Sequence, residues 1–330
     1  MKLLKSIFFL LLISTLTFAQ NAEHKIEWNG YGQFRIYKLN NVSEGFMLRR
    51  TKLWVKGSVP NIDNMYYKVM GIFTYNHSGY FGLLDVYGEY RFGSGYLRFG
   101  QQIPEFSLQR EQPDWKIPRV ERASVINRLI PSAQSFARDI GIQIHLQPVK
   151  NVWQIAAGVF NGDGANLKKH DSANFLYSAR STAIINFSKN YSWHIGGSVS
   201  YRYASDQDFF LIFGRDNLFT GDDFRYGIES LLKFDKLELQ AEYLESHLGN
   251  KKAYGYYAYS NYNFSKEDQA IISFEQLSDL NENTDDSPWL IAGYNHLFAS
   301  HKIKLMVSGG KQFNENNNYS LTTQLQIFFN

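Results

Sequence analysis

The sequence predicts an all-β fold, a transmembrane antiparallel β-barrel of about 16 strands with a long constriction loop after the fifth. Three observations carry that prediction. From residue 25 onward, apolar and polar residues alternate in short segments, the period of a strand with one face on lipid and the other on water. The connections between segments are alternately tight and long. No later stretch reaches the roughly 18 apolar residues of a spanning helix, so insertion in a membrane requires a closed ladder of strands.

The first residues precede the fold. Lys2 and Lys5 lead an apolar core from Ile7 to Leu16, and Thr17-Phe18-Ala19 offers a cleavage site after Ala19, the pattern of a secretory signal peptide over residues 1–19. Residues 20–330 are expected to form one barrel domain.

The first five strands are expected at 26–39, 45–59, 64–76, 81–92 and 95–102, with tight turns at Pro60 to Asp63 and at Gly93-Ser94-Gly95. The pattern then stops from Ile103 to Ser135. This stretch holds Pro104, Pro113, Pro118 and Pro131, which cannot donate to a ladder and so belong outside one. The sixth strand, 136–148, alternates Ile140, Ile142, Ile144 and Leu146 with Asp139, Gly141, Gln143, His145 and Gln147. The seventh, 151–161, alternates Trp153, Ile155, Ala157 and Val159 with Gln154, Ala156 and Gly158.

Strands at 174–187, 191–205, 222–234, 236–247, 251–264, 268–278, 288–298 and 301–313 come next. Tight turns separate them alternately with the segments 162–173, 206–221 and 279–287, which are rich in Gly, Asn and Asp. The last strand, 317–329, is the cleanest: Tyr319, Leu321, Thr323, Leu325, Ile327 and Phe329 fall on one parity, and Ser320, Thr322, Gln324 and Gln326 on the other. An even strand count places both termini at the short-turn rim.

Composition bounds function mainly by exclusion. The formal charge of +3 falls to about +1 when the two signal lysines are removed, so net charge gives no sign of nucleic-acid binding. The lack of cysteine excludes disulfides and thiolate metal sites. The histidines show no metal-ligand spacing and no serine sits in a nucleophile motif, so no catalytic residue, metal or cofactor is expected. The loop with Asp279, Glu282, Asp285 and Asp286 reads as solvated, or as a divalent-cation bridge to surface lipids.

A barrel this wide holds an aqueous channel unless a segment fills it. The stretch Ile103–Ser135 is the natural constriction, with Arg110, Lys116, Arg119, Arg122 and Arg128 against Glu105, Glu111, Asp114 and Glu121. By parity Arg50, Lys52 and Lys56 face inward, as do Arg91, Arg98, Arg180, Arg202, Arg225 and Lys304. A charge on the lipid face near the midplane would cost about 2–4 kcal/mol, which favours the lumen. The candidate pore-lining, anion-binding residues are therefore Arg50, Lys52, Lys56, Arg91, Arg98, Arg110, Arg119, Arg122, Arg180 and Arg202. Asp85, Glu89, Asp139, Glu229, Glu238 and Glu242 share the inward parity. The alternative that the cations merely neutralise these carboxylates stays open.

The run Phe46-Met47-Leu48-Arg49-Arg50-Thr51-Lys52-Leu53 with Gly57 resembles the opening motif of the phosphate-selective porin O and P family. Leu83-Leu84-Asp85-Val86-Tyr87-Gly88-Glu89-Tyr90, and Leu97-Arg98-Phe99-Gly100-Gln101 leading into Pro104 and Phe106, are similar to the family's second block. Ala137-Arg138-Asp139-Ile140-Gly141-Ile142 and Gly158-Val159-Phe160-Asn161-Gly162 resemble the next two blocks, so the likeness is densest over 45–164. It implies a sixteen-stranded outer-membrane barrel of a Gram-negative bacterium, commonly a homotrimer, with Arg50, Lys52 and Arg98 in the places of the family's lumen arginines. The function it implies is passive diffusion of small solutes, with a preference for anions such as phosphate or chloride, in a wall that meets outer-membrane lipid and lipopolysaccharide. A structural or adhesive barrel with a plugged lumen, and a barrel hydrolase, are the readings from other classes.

Overall fold

Alternation closes the chain on itself. The computed structural model describes residues 26–40, 43–75, 81–166, 174–215, 217–315 and 317–329, so the expected signal peptide lies outside the described residues. Its strands are β1 (Ile26–Leu39), β2 (Ser43–Ser58), β3 (Met65–Tyr75), β4 (Gly82–Phe92), β5 (Gly95–Gln102), β6 (Asp139–Val149), β7 (Trp153–Phe160) and β8 (Leu176–Asn186). The second half is β9 (Tyr191–Asp208), β10 (Leu218–Phe234), β11 (Leu237–Leu248), β12 (Lys251–Asn263), β13 (Asp268–Ser278), β14 (Trp289–His301), β15 (Ile303–Gln312) and β16 (Tyr319–Phe329). Each pairs antiparallel with the next, and β1 pairs with β16 from Gly30↔Phe329 to Leu39↔Ser320, which closes the barrel.

The outer face is a lipid belt. On β9 the outward residues run Tyr191, Trp193, Ile195, Gly197, Val199, Tyr201, with aromatics at both ends. That interval, at the usual rise and a tilt of 35–45°, spans about 25 Å of height, the thickness of a barrel's apolar band. Near the short-turn rim, the Trp153 and Trp193 indole N–H groups donate to Ser181 and Ser230 across the strand at 2.9 Å, which satisfies a polar atom that faces lipid.

Two departures from the expected strands have local causes. β9 and β10 continue past the predicted boundary, because Leu218↔Asp208 and Phe219↔Gln207 extend the hairpin beyond the apolar band, where polar residues cost nothing. In β2 the pairing with β1 steps from Gln33↔Arg50 to Phe34↔Leu48, a bulge that passes over Arg49.

The stretch after β5 folds into the lumen rather than out into solvent. It carries the short helices α1 (Leu108–Glu111) and α2 (Ser124–Leu129), joined by a segment of turns and bends, and a third, α3 (Phe210–Phe213), sits beside it from the β9–β10 connection. The segment descends the full height of the barrel. The Trp115 ring lies 4.9 Å from Phe328 and 6.0 Å from His301, both at the short-turn end of their strands. Arg128 then pairs with Asp279 back at the long-loop rim.

This path divides the lumen in two. On one side α2 buries Val125, Ile126 and Leu129 against Leu244, Leu248, Ala253, Tyr257, Ile271 and Leu277 of β11 to β13, a dry apolar core. Gly255 permits that approach, since a Cβ there would stand 3.0 Å from Val125 Cγ2 and 2.7 Å from the Gln276 carbonyl oxygen. The other side, facing β2 to β8, is polar.

Candidate functional site

The polar half of the lumen holds cavities on both sides of the inserted loop. The first, about 350 Å³, is lined by Arg49, Arg50, Lys52, Arg110, Arg122, Arg128 and Arg138 against only Asp114 and Glu121. A second, about 430 Å³, lies toward the short-turn rim among Arg91, Tyr96, Glu105, His145, Lys150, Gln154 and Arg180. A third, about 410 Å³, opens beside Glu27, Lys56, Lys68, Glu89 and Arg91.

In the first cavity the loop supplies the acids and the wall most of the bases. Asp114 accepts from Arg122 Nη2 at 2.6 Å and from the Tyr31 hydroxyl at 3.1 Å, pairs with Arg50 at 3.2 Å, and meets Lys52 Nζ. Glu121 accepts from Arg35 at 2.7 Å, Arg49 at 2.5 Å and Arg50 at 2.8 Å. Burial alone would raise both carboxyls, but the surrounding cations, led by Lys52 at Asp114 and by Arg50 at Glu121, hold them well below the usual carboxylate range. Arg110 and Arg138 both donate to the Phe136 carbonyl. Even so, Arg110 Nε and the Nε and Nη1 of Arg122 are buried and find no hydrogen-bond partner among the described residues. Arg128 and Arg138 are engaged outside this lining, by Asp279 and Asp85, so five cations remain against two acids, and with donors left over they make a cavity that suits an oxyanion.

Below it the cations continue along the wall in rigid mounts. Arg98 donates from Nε to Glu89 at 2.7 Å, and its guanidinium sits 4.6 Å from the Tyr87 ring centroid and 4.7 Å from that of Tyr96. Arg91 reaches the other oxygen of Glu89 at 2.7 Å and lies 4.0 Å from the Tyr66 ring centroid. Lys68 and Arg138 share Asp85, at 2.6 and 3.0 Å.

The structure thus gathers Arg50, Lys52, Arg110 and Arg122 in one cavity and Arg91 and Arg180 in the next. Lys56 stands at the rim, half exposed and 2.8 Å from Glu27. Arg119 belongs to a small cavity on the other side of the loop and pairs with Glu275. Arg202 departs from the expected lining role: only 2% exposed, it is held by Asp223 at 2.9 Å and the Gly162 carbonyl beneath the Phe209 ring, which seals it inside the wall. Arg180 is spanned by Glu105 at 2.8 Å and Glu229 at 2.6 Å.

Parity reasoning missed Arg49, Arg35 and Arg138. A usable signal existed for the first: two consecutive arginines in a membrane strand place one on lipid unless a bulge turns it inward. Arg35 carried the plain parity signal, since it stands between the outward Phe34 and Ile36 on the inward face of β1, whereas Arg138, just ahead of β6, carried none because its partner Asp85 comes from a distant segment.

Comparison with known proteins adds family and fold. The model of the family described as phosphate-selective porin O and P matches residues 25–273. No curated protein matches the sequence. Among solved structures, the chain is similar to Salmonella typhi OmpF in complex with daunomycin, with TM-score 0.69 and 10% identity over 93% of this chain and 98% of that one. An anion-selective porin from Comamonas acidovorans gives TM-score 0.65 and 10% identity over 93% and 100%. The trimer form of Vibrio cholerae OmpT gives TM-score 0.62 and 10% identity over 93% and 99%. At such identity these likenesses speak for the fold.

Proposed function

The chain belongs to the phosphate-selective porin O and P family and is an outer-membrane diffusion channel, and on that premise we propose that it prefers small anions, phosphate and chloride among them. The observation that carries the preference is the first cavity, where five cations, apart from Arg128 and Arg138 with acids of their own, face two acids and three buried guanidinium N–H groups have no partner among the described residues. Low-dielectric walls focus that excess of positive charge and lower the barrier for an entering anion. Arg50, Lys52, Arg110 and Arg122 meet the anion first. Arg98, Arg91, Arg180 and Lys56 pass it toward the periplasm, while Arg119 and Arg202 hold the wall and the loop. The inserted loop sets the bore, and the solute moves down its own gradient without a chemical step.

The finer parts of this reading rest on pattern and family. Residues 1–19 are removed on export, the barrel assembles as a homotrimer, and its apolar belt meets outer-membrane lipid and lipopolysaccharide. Support comes from the charge pattern of the leader, from the trimer form of OmpT, and from the aromatic ends of the belt. The anion selectivity of the Comamonas porin lends the same kind of support to the preference.

The test is the reversal potential of the purified mature protein in a planar bilayer under a potassium chloride gradient. Chloride preference, lost in Arg98→Glu and Arg122→Glu, is the expected result. A cation preference in the unmodified protein, or unchanged potentials in both variants, would overturn the reading. No conductance at all would favour a plugged barrel, a second reading supported by the loop that descends the full height of the lumen.

A further inference from the structure

We propose that Asp114 is the specificity-determining residue of the channel, a tethered carboxylate that occupies its strongest oxyanion site and competes with the passing anion for it. The inference rests on the anion-channel reading above.

Around Asp114 the donors converge as they would around a ligand. Arg122 reaches Oδ1 at 2.6 Å, while Tyr31 at 3.1 Å, Arg50 at 3.2 Å and Lys52 meet Oδ2. These come from β1, β2 and the loop itself, so no local turn chemistry accounts for the arrangement. The carboxylate does not use the site up. Arg122 has a side-chain exposure of 5%, yet two of its nitrogens lack a hydrogen-bond partner among the described residues, and so does Arg110 Nε in the same cavity. A planar carboxylate offers two oxygens; a tetrahedral oxyanion offers more, and could take these donors as well.

The tether is also built to yield. Asp114 sits at the turn of the inserted loop, with Pro113 before it and Lys116 after it both exposed. Glu121, the other acid of the cavity, is held by Arg35, Arg49 and Arg50 of β1 and β2. The donors without a partner among the described residues stand instead on Arg122, which binds Asp114, so it is at Asp114 that a solute anion competes. The carboxylate then sets a threshold, since anions that bind the donors more weakly than it does are passed over and the site cannot hold a solute so tightly that flux stops.

The experiment is inhibition of chloride current by inorganic phosphate in planar bilayers, compared between the unmodified barrel and Asp114→Asn. With the competitor removed, half-inhibition is expected at a phosphate concentration lower by about tenfold or more, because the site's charge-assisted donors become available to the solute. Unchanged or weaker inhibition in a folded D114N barrel would overturn the inference. Removing one acid from a buried cationic site can prevent folding, so Lys52→Met and the charge-balanced Lys52→Met/Asp114→Asn pair form a second comparison. Phosphate should inhibit the double variant more strongly than Lys52→Met alone, and equal inhibition would reject the competitor. The reversal potential of the unmodified protein is read separately. Cation preference there, together with tighter phosphate inhibition in D114N, would fail the proposed function while leaving the competition intact.

Discussion

Arg49 and Arg50 are neighbours in a strand whose side chains alternate, yet both end on the carboxylate of Glu121, at 2.5 and 2.8 Å. The bulge that steps the register from Arg50 to Leu48 is what turns Arg49 inward. Without it one of the two would face lipid at a cost of about 2–4 kcal/mol near the midplane. The same device recurs in the next two pairings, between Thr51 and Lys52 against β3 and between Met70 and Gly71 against β4. The second brings Leu84 into the lumen beside Asp85, since both are buried there. The polar half of the channel is therefore shaped by register breaks in β1 to β4 as much as by the inserted loop.

This arrangement predicts opposite effects for two substitutions. Glu121→Gln removes one of the two acids facing the cations of the first cavity and should raise chloride preference in the reversal potential. Arg49→Leu removes a cation from the same cavity and should lower it. Each also removes a charge-assisted contact that docks the loop, worth about 1.5–3 kcal/mol, so both barrels should lose their heat-resistant gel mobility at a lower temperature.

Much of this was legible in the sequence, and the boundary is physical. Strand count, closure and the parity of residues such as Lys52, Arg98 and Arg180 follow from a period of two that the bilayer enforces at every position. Arg49 was not legible by parity, because a bulge changes the period at one residue. The loop's path was hidden for a different reason. Val125, Ile126 and Leu129 have the spacing of one helix face, but nothing local says that the face meets Leu244, Tyr257 and Leu277 across the lumen. Nor does anything near Trp115 disclose that it comes to rest against Phe328.

The loop's descent begins at a single carboxylate. Glu242 of β11 accepts the backbone N–H of Leu108 at 3.1 Å and of Gln109 at 2.7 Å, and so caps α1 from the opposite wall. Replacing a cap by alanine costs about 0.5–2 kcal/mol. Glu242→Ala should therefore leave the barrel folded and expose residues 103–115 to cleavage by protease added from the long-loop side, at a rate above that of the unmodified protein. Equal rates would show that the loop is held elsewhere.

Gly255 tests the dry half. A methyl group there meets the Gln276 carbonyl at 2.7 Å and Val125 at 3.0 Å, so Gly255→Ala should destabilise by about 1–3 kcal/mol through overpacking. Adding Val125→Ala removes the second contact and leaves the first. Val125→Ala alone opens a cavity in the core that the added methyl partly fills, so the double variant should lose less in thermal unfolding than the sum of the two single losses, and strictly additive losses would mean that the two positions are not in contact.

Selectivity should also depend on pH, through Glu111. Its Oε1 is buried without a hydrogen-bond partner among the described residues. Burial first, and the nearby charge of Glu105 second, push its carboxyl up from 4.5 to about 8, against the pull of Arg180, Arg98 and Arg110. Glu111 is neutral below its raised value and becomes an anion as pH rises through it, adding negative charge beside the cations that attract the solute. Chloride preference should therefore be higher at pH 6 than at pH 9. Folding moves in the same direction: the contribution of Glu111 is fully present below its unperturbed value and is lost as pH rises through the raised one, so the docked loop is least secure in alkali. Glu111→Gln should remove the step from the reversal potential while keeping the loop's shape. A pH step that survives in that variant would move the titration to another group in the lumen.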